Sequence, residues 1–168
     1  GIDNVIGKRR GFIKVDAQLL MHDSILLLPK KHVVLEILRG VEITESITQR
    51  CAFLKQKGYQ LALSYTAQSS THYDHILSLV NIVKINVNEL TSAHLMAVMK
   101  QLRRFPILLL AEKVETQETA KHCISLNFQM LQGFFFTQPE VMSGKNIDPS
   151  KLSLLKLMLL VVKDGDIS

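Results

Sequence analysis

The sequence predicts an α/β fold in which parallel strands form most of a barrel, and three observations carry that expectation. Short apolar, β-branched runs alternate with segments of helical periodicity along the whole chain. The runs begin about 21 to 26 residues apart, the length of one strand-helix unit. A polar residue sits late in, or just after, each run, and polar strand ends converge on one mouth only when the strands surround it.

Taken in order, the strands are expected at Phe12 (FIKV), Val33 (VVLEIL), Tyr59 (YQLAL), Ile82 (IVKIN) and Pro106 (PILLLA), with a weaker one at Phe128 (FQMLQ). Near-continuous apolar strands of this kind belong to a sheet covered on both faces. Between them, Ile47, Cys51 and Leu54 recur at helical spacing before Gly58. Leu95, Val98, Met99 and Leu102 do so before Pro106, and Ala120, Cys123 and Ile124 before Gln129. Thr91, and Thr116 followed by Glu118 and Thr119, have the chemistry of helix starts.

The polar strand ends are Lys14, Glu36, Ser64, Lys84 and Glu112, with Gln132 after the weak run. Lysine and glutamate are rarely buried unpaired. Glu36 is therefore expected to pair with Lys14, and Glu112 with Lys84. Eight strand-helix units need roughly 190 residues, near the lower end of such barrels, and the chain has 168. The expectation is an incomplete TIM-type (β/α) barrel of about six parallel strands, lacking the first one or two. Its body covers residues 1–147, and residues 148–168 form a terminal helix and junction. Such a barrel leaves open edges, which soluble proteins pair or cover. Residues 1–8, or the Leu154, Leu155, Met158 and Val162 stripe, are candidates to cover one edge, and self-association to a homodimer is expected through the other.

Composition narrows the function. The chain is 47% hydrophobic and 21% charged, with 20 Lys and Arg against 15 Asp and Glu, a formal charge of +5. That is a folded protein with a generally basic surface, and the longest basic run, Lys8-Arg9-Arg10, is too short to mark a nucleic-acid partner. The apolar stretches fall short of the roughly 20 residues that cross a bilayer, so no membrane span is expected. Cys51 and Cys123 have no companions at metal or redox spacing, which points to a reduced, cytoplasmic setting.

Five separated motifs occur in order. AEKVET at 111–116 and QGFFFTQPE at 132–140 resemble the AEGVET and QGY signatures of EAL domains, bacterial cyclic di-GMP phosphodiesterases. Glu36 sits where that family has the metal-binding glutamate of E-x-T, and Ile82 to Asn86 (IVKIN) where it has L-K-I-D. The segment 138–157 is similar to the end of EAL domains that precede an HDOD domain. The resemblance implies a site in which Glu36 is a metal ligand, Lys84 the family's lysine and Glu112 the general base. It likewise makes Glu115 the supporting partner of Glu112 and Gln132 the glutamine of the turn. In active relatives two metal ions, magnesium or manganese, activate a water that attacks one phosphodiester.

Other positions depart from the family pattern. The aspartate-rich D-D-F-G segment reads Ser64-Tyr65-Thr66-Ala67, the expected Asn is Lys14, and the Asp of K-I-D is Asn86. The strand with the Glu-Ala-Leu motif is absent from the chain. Hard divalent cations need several anionic oxygens, and an ammonium at a metal position repels them by several kcal/mol at an effective dielectric of about 20. The expectation is a chain without metal or other cofactor. It would be a catalytically inactive EAL-like signalling module working through a protein partner or an HDOD domain. A non-hydrolysing receptor that binds cyclic di-GMP weakly, helped by Lys14 and Lys84, is the alternative, and an active phosphodiesterase the third reading.

Three further features are assigned ordinary roles. His72 and His75 lack a third metal ligand and read as an exposed helix start. Phe134, Phe135 and Phe136 read as packing beneath the rim. Met96, Met99, Met130 and Met142 read as core filler.

Overall fold

The computed structural model describes residues 11–67 and 70–133. Strand β1 (Gly11–Val15) leads through the short helix α1 (Ala17–Met21) and a 3-10 turn (Asp23–Leu27) to β2 (Val33–Ile37). Helix α2 (Glu45–Gln56), β3 (Gln60–Ser64), α3 (Thr71–Leu79), β4 (Ile82–Asn86), α4 (Ser92–Leu102), β5 (Leu108–Glu112), α5 (Gln117–Ser125) and β6 (Met130–Leu131) follow. The six strands form one parallel sheet in the order β1-β2-β3-β4-β5-β6, and the outer edges of β1 and β6 have no partner among the described residues. Sequential order is decisive. A doubly wound sheet reverses its strand order once, whereas right-handed crossovers that never reverse put every helix on one face and curl the other inward.

The expected strands are present with shifted bounds. The third begins at Gln60, the fifth at Leu108, and the weak sixth shrinks to two residues. Each helix starts on a side-chain oxygen that accepts an otherwise unpaired backbone N–H. Asp16 takes that of Leu19, Thr44 that of Ile47, Ser70 that of Tyr73, Thr91 that of His94 and Thr116 that of Thr119.

Alternation divides the side chains by parity. The register pairs Lys14 with Glu36, Glu36 with Ala62, Ser64 with Lys84, Asn86 with Glu112 and Leu110 with Met130, so even-numbered strand residues share the concave face. Leu35, Ile37, Leu61, Leu63, Val83 and Ile85 are among the odd-numbered residues of the helix-covered face, all buried. On the concave face Val34, Ala62, Ile82, Leu110 and Met130 make a buried apolar floor. The polar residues lie above it at the strand ends. The helices close the outer layer with the expected stripes, Ile47, Cys51 and Leu54 on α2 and Leu95, Val98, Met99 and Leu102 on α4.

Met96 departs from its expected core role. It is 58% exposed, while Met99 and Met130 are buried, because position 96 lies about 100° around the helix from Leu95 and off the α4 stripe. Met142, Phe134 to Phe136, residues 1–8 and the terminal segment 148–168 lie outside the described residues.

Two predictions follow from packing. A Cβ at Gly133 would stand 1.9 Å from the Val114 carbonyl oxygen, whereas one at Gly40 would meet nothing within 4 Å. Gly133→Ala should lower unfolding stability in urea by at least about 1–3 kcal/mol, while Gly40→Ala stays within about 0.5 kcal/mol of the parent. Burial pushes the Cys51 thiol up to about 12 and the Cys123 thiol up to about 11. Neither should react with a thiol reagent at neutral pH until denaturant is added, because the thiolate is the nucleophile.

Candidate functional site

The C-terminal ends of β2 to β5 bring one cation and two carboxylates together. Lys84 Nζ lies 3.0 Å from Glu36 Oε2 and 3.0 Å from Glu112 Oε1. Ser64 donates its hydroxyl to the other Glu36 oxygen at 3.2 Å. The side chains of Lys84 and Glu36 are 3% and 2% exposed and that of Glu112 is 22% exposed. The Phe12 ring adds a fourth wall, its centroid 4.6 Å from the ammonium. An ammonium has three donors, and here two carboxylates and an aromatic face meet it.

The stagger of the strands explains the meeting. Glu36 stands level with Ala62, and Ser64, two residues further up β3, stands level with Lys84. Lys84 in turn is level with Leu110, and Glu112 lies two residues above. The polar side chain thus rises by two residues from β2 to β3 and again from β4 to β5, stays level between β3 and β4, and the long stem of Lys84 spans the difference.

The expected pairing of Glu112 with Lys84 is present. That of Glu36 with Lys14 is corrected: Lys84 serves both carboxylates, and Lys14 is exposed although it is in register with Glu36. Both Glu36 oxygens are already engaged. Lys14 stands on an outer strand, where its ammonium stays in water at no desolvation cost.

Glu115 is exposed, and the Gln132 backbone accepts from Val114 N–H at 3.0 Å and donates to the Ala111 carbonyl at 2.8 Å. Neither side chain joins the Lys84 cluster. Asn86 donates to Glu89 at 3.2 Å and accepts from the Asn88 N–H at 3.1 Å. Arg39, beyond β2, donates to Glu89 at 2.7 Å, which holds the Glu89 carboxyl below its usual range and raises the Arg39 guanidinium. The Glu112 charge adds to that rise. Burial likewise raises the Tyr65 phenol. His72 and His75 are exposed on α3, as expected.

Sequence reasoning missed Phe12, Arg39 and Glu89. The period of two that placed Lys14 and Glu36 on one face would have placed Phe12 there too. Arg39 and Glu89 are fifty residues apart, and nothing local links them.

The donor set does not fit the divalent cations that such a site would hold. Calcium takes six to eight oxygens and magnesium a near-ideal octahedron. Here the two carboxylates share one ammonium, Asn86 is spent on Glu89 and Asn88, and Ser64 on Glu36. No group of three or more His, Cys, Asp or Glu among the described residues is arranged to hold a metal.

Lys84→Met should lower stability by about 3–5 kcal/mol, the cost of leaving buried carboxylates without their cation. The triple variant Lys84→Met, Glu36→Gln, Glu112→Gln should recover most of that loss in urea denaturation, because it leaves no uncompensated charge.

Relatives agree with this architecture. The chain is 28% identical over 162 residues to the YuxH protein of Bacillus subtilis (strain 168), covering 94% of this chain and 40% of that protein. It is 28% identical over 163 residues to the cyclic di-GMP phosphodiesterase CdgJ of Vibrio cholerae serotype O1, covering 94% of this chain and 37% of that one. The chain thus spans about two fifths of the length of these curated relatives. Among solved structures, the EAL domain of Mycobacterium smegmatis DcpA superposes with a TM-score of 0.59 at 26% identity, covering 73% of this chain and 64% of that one. The Bacillus subtilis YkuI protein, with an EAL domain and in complex with cyclic di-GMP and calcium, superposes with a TM-score of 0.61 at 23% identity, covering 82% of this chain and 39% of that one. The EAL domain family model matches residues 8–139, and with Glu36, Lys84 and Glu112 gathered at the mouth of a parallel, sequentially ordered sheet, the chain belongs to the EAL domain family.

Proposed function

We propose that the chain is a catalytically inactive EAL-like signalling module that works through a protein partner or a following HDOD domain. The observation that carries this reading is the state of the positions around Lys84, Glu36 and Glu112: Ser64 gives its hydroxyl to Glu36, Asn86 is bonded to Glu89 and Asn88, and Lys14 is an exposed ammonium. Metal-assisted hydrolysis needs cations to neutralise developing charge and to lower the pKa of the attacking water. With Ser64, Tyr65, Asn86 and Lys14 at positions where the family places metal ligands, those cations have too few anionic oxygens to hold them. Glu112 as general base would have no activated water to deprotonate.

A second reading, a receptor that holds cyclic di-GMP without cleaving it, is favoured by one observation. Lys14 stands exposed at the strand ends, where its charge is available to a phosphate. The relative CdgJ is a cyclic di-GMP phosphodiesterase and YkuI is in complex with cyclic di-GMP, so this nucleotide is the ligand to try.

Calorimetric titration of the chain with cyclic di-GMP, with and without magnesium, is paired with a hydrolysis assay in manganese buffer. The inactive module gives no product above a protein-free control and no micromolar binding. Binding without product moves the assignment to the receptor, and product formation overturns both. Ser64→Asp with Tyr65→Asp should not rescue hydrolysis, since Lys14 remains among the ligand positions.

A further inference from the structure

The opposite end of the sheet carries a charge pattern that the mouth does not explain. Parallel strands put all their N-terminal ends on one side. The segments that lead into β2 to β6, residues 28–32, 55–59, 79–81, 100–107 and 121–129, hold eight Lys or Arg and no Asp or Glu. Contacts tie these loops into a single face. Lys30 donates to the Lys57 carbonyl at 2.9 Å, Lys55 to the Leu79 carbonyl at 2.8 Å and Arg103 to the Leu126 carbonyl at 2.5 Å.

Each of these bonds satisfies a backbone oxygen and neutralises no charge. Arg39 with Glu89, Arg50 with Asp23 and Lys84 with its two glutamates form ion pairs away from this face. Lys57, Lys100 and Lys121 are exposed and engage no carboxylate among the described residues. Helix C-termini attract a nearby cation, which accounts for Lys55 and Arg103. It accounts for Lys30 too, which meets the Lys57 carbonyl at the end of α2, but not for Lys121 within α5 nor for the absence of Asp and Glu from all five segments.

An apolar side chain stands at the rim of the same face. Tyr59, just before β3, donates its hydroxyl to the Leu28 carbonyl at 2.8 Å and pins the end of the 3-10 turn to that level. Leu27, the last residue of the turn, is 86% exposed, and Leu26 beside it is 38% exposed.

From this acid-free face, to which four of the five segments bring cations, and from the exposed leucine at its rim, we infer that the N-terminal end of the sheet docks onto an anionic lipid surface. The cations meet the headgroups and Leu27 enters the boundary with the acyl chains. Cations beside an apolar side chain match a bilayer interface, which offers negative charge and hydrocarbon within about 5–10 Å of depth. A nucleic acid or an acidic peptide would use the cations and leave Leu27 idle. The surface is separate from the mouth, so this inference stands whether or not the mouth is catalytic.

The test is sedimentation of the chain with phosphatidylcholine vesicles, with and without phosphatidylglycerol. Binding is expected only with the anionic lipid, and it should vanish in 1 M salt, where the Debye length is about 3 Å. Lys57→Glu, Lys100→Glu and Lys121→Glu together should weaken partitioning at least about a hundredfold, at about fivefold for each basic residue. Leu27→Ser should weaken it about tenfold, and Lys113→Glu, at the opposite end, should leave it unchanged. If the triple variant loses its helical circular dichroism, Lys100→Glu alone should still show its fivefold loss. Equal sedimentation with both vesicle types, none with either, or an effect of Lys113→Glu as large as that of Lys100→Glu overturns the inference. So does tight binding to duplex RNA that Leu27→Ser does not change, which would make the face a polyanion site.

Discussion

An ammonium carried into the inside of a parallel sheet must be met by anions within its own reach, or its desolvation would unmake the fold. Lys84 is that ammonium, and much of the mouth is arranged around it. Glu36 and Glu112 come from two strands that do not touch each other, and the lysine between them is their common counterion. Ser64 occupies the remaining Glu36 oxygen, and the Phe12 ring turns its electron-rich face to the charge. The apolar floor of Val34, Ala62, Ile82 and Leu110 keeps water away from below, which strengthens each of these contacts.

The same cluster links structure to chemistry. Around it, a hydroxyl at Ser64, an amide at Asn86 and an exposed ammonium at Lys14 offer a hard cation fewer anionic oxygens than it needs. The side chains that remain at the rim, Lys14, Asn86 and the Arg39–Glu89 pair, are either exposed or bound to one another. The two ends of the sheet therefore differ in kind. Charges of both signs neutralise each other at the mouth, while the opposite end holds cations bonded to carbonyls.

Much of the fold was legible because its signals are local. A strand buried on both faces is an apolar run, a helix start is a Thr or Ser before a periodic stretch, and both show in the order of residues. The six parallel strands and the stripes of α2 and α4 appear where the periodicity placed them. Boundaries moved by one or two residues, as at Gln60 and Leu108, because a strand ends where its neighbour stops offering hydrogen bonds. Met96 misled for a related reason: residue type suggests burial, but only the angle around the helix assigns the face.

The sequence by itself determined the class of fold and the row of polar strand ends, Glu36, Lys84 and Glu112 among them, since alternation and unit length are properties of neighbouring residues. Tertiary structure decided who pairs with whom. Lys14 is level with Glu36, yet the stagger of the strands and the length of one side chain assigned Glu36 to Lys84, forty-eight residues away. It also decided that Phe12 faces the ammonium, that Arg39 finds Glu89, and that basic residues scattered over four segments share one end of the sheet. Distance in space across a staggered, curling sheet is set by the register of all the strands together, and no single stretch of sequence records it.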